Sequence, residues 1–135
     1  MATLKTNTLT GTSTAGSIAV TGEGNSTTTN LQQGLMKVFT NLKGTDTFGL
    51  RDSFNVSSAT DNGTGNYTIT INNDMGNNDY SVTGSQGGNT SNDEVRIPEN
   101  ATDFATGSYI VNTLKTGVSL NDSVYVCTQV AGDLA

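Results

Sequence analysis

The sequence has no histidine, no tryptophan, one cysteine, one proline and only six basic residues among 135. Each scarcity removes a class of function. Without histidine there is no His general base, no His-containing triad and no His metal site. A lone cysteine, Cys127, rules out an intramolecular disulfide. Its apolar neighbours suit a small buried hydrophobe better than a reactive thiol. Six Lys/Arg set against twelve Asp/Glu form no basic stripe, so no nucleic-acid partner is expected. No segment approaches the roughly 20 apolar residues of a membrane span. The start, Met1-Ala2-Thr3-Leu4-Lys5, lacks the apolar run of a secretory signal, so synthesis in the cytoplasm without a signal peptide is expected. The lack of tryptophan and of an export signal also weighs against a secreted carbohydrate-binding module.

Catalytic and cofactor motifs are missing in the same way. Asp46, Asp52, Asp61, Asp74, Asp79 and Asp122 all sit where turns favour aspartate. No phosphate-binding G-x-x-x-x-G-K-[ST] occurs, and the Asn/Asp corner at 73–79 lacks EF-hand spacing. No cofactor or metal is expected. A carbohydrate-active enzyme, which would need a close carboxylate pair, is the distant alternative.

What the sequence does contain is Thr (24), Asn (16), Gly (16) and Ser (12), about half the chain, with 33% hydrophobic and 13% charged residues. Disorder usually pairs low hydrophobicity with high net charge and little β-branching. Here Thr, Val and Ile alternate with polar residues between Asn/Gly turns, the pattern of short strands. Residues 53–58 and 67–72 both alternate, with Asn62-Gly63 and Gly65 between them as a hairpin turn. Phe54 and Val56 are expected on one buried face with Tyr67, Ile69 and Ile71. The Asn-rich corner at 73–78 then returns the chain into residues 79–82 as the third strand of a meander.

Elsewhere the reading is coarser. Residues 1–34 form an extended N-terminal anchoring arm or linker, with Leu4, Leu9, Ile18 and Val20 as isolated apolar points; a floppy tail is the alternative. Asn30 could cap a helix over Leu31–Phe39, but Gly34 weakens it, so a linker followed by a strand over 35–42 is preferred. Residues 84–93 read as a loop, and 93–98 as a strand ended by Pro98. Residues 99–107 read as a second loop, which Phe104 pins to the core. Residues 109–114 and 123–130 are further strands, the last apolar on both faces and hence central or at a subunit interface. The sum is an all-β head, residues 35–135, built as a small antiparallel β-sandwich of about seven strands. So few apolar residues give a thin core: burial yields about 25 cal/mol per Å² while ordering costs on the order of 1–2 kcal/mol per residue. Self-association is therefore expected. Leu31, Leu35, Phe39, Tyr125 and Cys127 are the interface candidates. Tyr80, Phe104 and Tyr109 are candidates for exposed aromatic contacts with a partner, weighed against core packing, the favoured role for each.

Several stretches carry a resemblance. Asp52-Ser53-Phe54-Asn55-Val56-Ser57-Ser58, Thr60-Asp61-Asn62-Gly63-Thr64-Gly65-Asn66-Tyr67-Thr68-Ile69 and Asn73-Asp74-Met75 are similar to a module of tail-fibre-like virion proteins of marine tailed phages, of the cyanophage and pelagiphage type. So are residues 17–24, residues 30–35 and the ending Gly132-Asp133-Leu134-Ala135. The resemblance implies a homotrimer on the outer surface of a virion, a β-rich head and an N-terminal segment attached to tail or capsid proteins. In that role the acidic, Asn/Thr/Gly-rich loops would meet host-surface glycans or simply water, and no catalytic residue is implied. The length is short for a complete fibre, which keeps capsid decoration open as the second role.

Overall fold

The computed structural model of the chain describes residues 3–13, 18–22, 27–88, 93–96, 101–115 and 119–135. The chain divides into two compact units, Met1–Leu35 and Met36–Ala135.

The N-terminal unit is not purely extended. Strands β1 (Ala19–Thr21) and β2 (Thr28–Asn30) pair antiparallel. A four-residue helix, α1 (Leu31–Gly34), follows directly. Asn30 caps it: its side-chain oxygen accepts from the Gln33 amide at 3.2 Å, and the Leu31 amide donates to the Ile18 carbonyl at 2.8 Å. The sequence reading gave up the cap because of Gly34. A single turn ending at that glycine uses the cap without carrying Gly34 inside a longer helix. Ala19 and Val20 therefore pair within their own unit, where an extended arm is expected.

The second unit is an antiparallel β-sandwich. Its strands are β3 (Val38–Lys43), β4 (Gly49–Phe54), β5 (Val56–Gly63), β6 (Asn66–Ile71), β7 (Ser81–Gly87), β8 (Asp93–Arg96), β9 (Phe104–Ala105), β10 (Ser108–Lys115), β11 (Ser119–Leu120) and β12 (Tyr125–Ala131). Sheet I runs β4-β3-β12-β7. Sheet II runs β11-β10-β6-β5, with β8 and β9 also paired to β10. Alternation sends Val38, Leu42, Val126 and Val130 inward from sheet I, against Tyr67, Ile69, Ile71, Tyr109 and Val111 from sheet II. Met75 and Tyr80, on the connection between β6 and β7, complete the core.

A line of hydroxyls crosses this core. Thr40 and Thr128, both buried, share a hydrogen bond at 2.6 Å, and the Tyr109 hydroxyl meets Thr128 at 2.7 Å. At one end, the Tyr67 hydroxyl (3.1 Å) and the Gly65 amide (2.7 Å) both donate to Asp122 Oδ1. Gly65, at φ 63°, lies so close to the chain at Thr113 and Asn121 that an added Cβ would come within 2.5 Å of the Thr113 carbonyl oxygen. The hairpin tip needs glycine there for both reasons.

Several local expectations are corrected. The alternation at 53–58 is not one strand. Asn55 adopts φ 57° and turns the chain from the edge of sheet I into the edge of sheet II. Phe54 accordingly points away from the core and is 54% exposed. The β5 strand continues through Gly63, so the hairpin loop is Thr64-Gly65 alone. Residues after the 73–78 corner do not extend a meander: β7 pairs with β12 in the other sheet, and it continues through Gly87, where a loop from Gly84 was expected. Phe104 belongs to a short strand on β10 and packs against the core. The last strand is central in sheet I, yet apolar burial is confined to its inner face. Pro98 and the loop at 89–92 lie outside the described residues.

Candidate assembly surface

The two outward faces of the sandwich differ in chemistry. On sheet II, Ser58 and Thr60 stand opposite Thr70 and Thr68. Asn62 donates to Asn66 Oδ1 (2.7 Å) and Thr68 Oγ1 (2.8 Å), and Asn66 donates to Asn112 Oδ1 (2.9 Å). This face is a sheet of hydroxyls and amides, the amides bonded to one another and to Thr68, with Ile110 as an apolar point among them.

Sheet I turns aromatic residues outward. Val38, Thr40 and Leu42 face in, so Phe39, Asn41 and Lys43 face out. Phe39 pairs in register with Phe54, and their rings stack at 6.3 Å between centroids and 17° between planes. On β12, Tyr125, Cys127 and Gln129 occupy the outward positions, with Cys127 beside Asn41 and Gln129 beside Phe39. A register shift between Asn41 and Leu42 places Arg51 at the irregularity. Its guanidinium lies 4.1 Å from the centre of the Tyr125 ring. Phe54 and Tyr125 are 54% and 49% exposed. Asn41 Oδ1 is buried and has no hydrogen-bond partner. Cys127 is half-buried beneath this surface, and Thr83, Ser85, Cys127 and Gln129 border a hollow of about 250 Å³ along β7 and β12.

Of the interface candidates, the structure gathers Phe39, Tyr125 and Cys127 onto this one face. Leu31 and Leu35 belong to the N-terminal unit, where with Leu9, Ile18 and Gln32 they line a separate apolar hollow of about 260 Å³. Among the arm candidates, Leu4 (78%), Leu9 and Val20 are exposed and Ile18 is half-buried. The host-contact candidates are corrected. Tyr109 is fully buried, Tyr80 is buried with its hydroxyl donating to the Ala105 and Ser108 carbonyls at 2.8 Å, and Phe104 meets Tyr80 edge-on at 5.2 Å. They are core residues because each alternates inward or closes the sandwich end. Burial raises the Tyr67 and Tyr80 hydroxyl pKa values to about 12, Asp122 adding to the effect at Tyr67, and raises that of Tyr109.

Sequence reasoning missed Phe54, Arg51 and Asp52 as members of the face. The available signal was Asn55: asparagine tolerates a left-handed backbone, and one such residue inside an alternating run reverses which side the residues before it occupy. Among the described residues, no three Cys, Asp or Glu side chains converge as metal ligands. No helix of the described residues is long and apolar enough to cross a membrane. Comparison of the chain with protein-family models, with curated proteins and with solved structures finds no match.

Proposed function

We propose that this protein is a non-enzymatic structural component of a phage particle: a homotrimeric tail-fibre or appendage protein, attached by residues 1–34 to tail or capsid proteins and presenting its β-sandwich outward. The observation that carries the attachment role is the character of the N-terminal unit. It is compact by itself, bears only Lys5 and Glu23 as charged side chains, and leaves Leu4, Leu9, Val20 and Leu35 exposed. Exposed leucines on a nearly uncharged unit suit burial against a larger assembly. The resemblance of the turn-and-strand pattern to tail-fibre-like proteins supports the same role. In it the protein stands on the outer surface of the particle, is made in the host cytoplasm, and meets a host-surface glycan.

Capsid decoration is the second reading. The burial of Tyr80 and Tyr109 favours it, since the aromatic contacts expected for a receptor-binding head lie in the core. Deleting residues 1–34 is the test of attachment. The truncated protein should fold and fail to enter particles; normal incorporation would refute the anchoring role. Binding of the purified head to host cells separates fibre from decoration.

A further inference from the structure

We infer that the outward face of sheet I is where one copy of this chain docks on another, with Phe54, Phe39 and Tyr125 as the buried contacts. The inference rests on the self-association proposed above and assigns it a surface. Three observations point to a second copy as the occupant.

The first is charge. The protein carries a formal net charge of −6, yet this face sets Arg51 beside Asp52, with Lys43 already paired to Asp46 at 3.2 Å. Two copies brought together here can place both signs in contact. Arg51 and Asp52 are neighbours on β4, so around a threefold axis the Arg51 of each copy can meet the Asp52 of the next.

The second is preparation of the surface. Tyr125 is held flat under Arg51, and Phe54 is braced on Phe39, so little side-chain freedom is left to lose on docking. Asn41 Oδ1 lies within this same face without a donor, a deficit that isolated sheets seldom carry and that a docking copy can meet after a side-chain rotation. The third is contrast. On the face of sheet II, Asn62, Asn66, Thr68 and Asn112 are bonded to one another, and no exposed large aromatic stands there among the described residues.

Size sets the strength. Four strands about 4.8 Å apart, with a rise of about 3.3 Å per residue over six or seven residues, span roughly 20 by 20 Å. A face of that size buries roughly 800 Å² over two copies, below the roughly 1,200 Å² at which standard specific interfaces begin, so a single contact is weak, with association in the micromolar range or above.

The test is sedimentation of the full chain across a concentration series, with three variants. The wild type should associate. Phe54→Asp, at an exposed position, should weaken association about tenfold or more, and Tyr125→Ser should weaken it in the same direction. Thr60→Asp, which adds the same charge to the face of sheet II, should leave association unchanged. Association that survives both sheet I variants would overturn the assigned face while leaving self-association standing. Equal weakening by Thr60→Asp would reduce the effect to net charge and also overturn it. A wild type that stays monomeric throughout would remove the self-association on which the inference rests.

Discussion

Asn55 and Asn73 form a reciprocal clasp at the corner where the chain leaves one sheet for the other. Asn55 Oδ1 accepts from the Asn73 backbone amide at 2.8 Å and from its side chain at 3.0 Å, while Asn55 Nδ2 donates to the Asn73 carbonyl at 3.1 Å. The same Nδ2 donates to the Lys37 carbonyl at 3.1 Å, so one amide ties three segments together. The left-handed backbone at Asn55 makes the clasp geometrically possible.

Asn55→Ala loses both the clasp and the tolerance for φ 57°, and should lower stability by about 2–4 kcal/mol. Asn55→Gly keeps the backbone freedom and loses only the hydrogen bonds, so its urea midpoint should fall between those of wild type and Asn55→Ala. Equal midpoints for all three proteins would remove the corner from any account of this fold.

Thr128 is the shared partner of Thr40 and Tyr109. Thr128→Val keeps the shape but removes the hydrogen bonds to Thr40 and Tyr109, leaving those two only each other, at about 1–3 kcal/mol. The triple variant Thr40→Val/Thr128→Val/Tyr109→Phe removes every member of the line and should be more stable than Thr128→Val alone. Calorimetry of the two proteins checks the order.

The raised tyrosine pKa values make a prediction about alkali. The ordinary value is 10.0, and burial lifts Tyr67 and Tyr80 to about 12 in the folded state. The neutral hydroxyl is the form the fold favours. The stabilisation is therefore complete below pH 10 and is lost as pH rises through 12, because the unfolded chain releases its protons first. Melting temperature should fall steeply above about pH 10, with a parallel rise in tyrosinate absorbance at 295 nm or thereabouts. Tyr80→Phe should make the fall shallower. An unchanged slope in that variant would mean that Tyr80 does not contribute to the alkaline transition.

The sandwich was legible because its strands announce themselves by alternation: residues 67–71 and 109–114 face in and out as the sequence spacing requires. The outward aromatic face of sheet I was half legible. Phe39, Tyr125 and Cys127 follow from the two-faced apolar pattern of their strands. Phe54 does not, since a residue's side in an alternating run depends on unbroken backbone, and Asn55 breaks it. The pairing of β7 with β12 was hidden for a different reason: a tight Asn/Asp corner reads the same whether it closes a hairpin or hands the chain to the opposite sheet. Met75, which bridges to Leu134 at that corner, is the long-range contact that decides it, and nothing local in the sequence marks that pair.

The most direct test of the proposed role is a density map of purified particles in which the C-terminal Ala135 carries a visible label. The account expects labelled density projecting from the outer surface of the particle in threefold groups, with the N-terminal unit at its base. Particles that are complete and infectious without a single copy of this protein would contradict it.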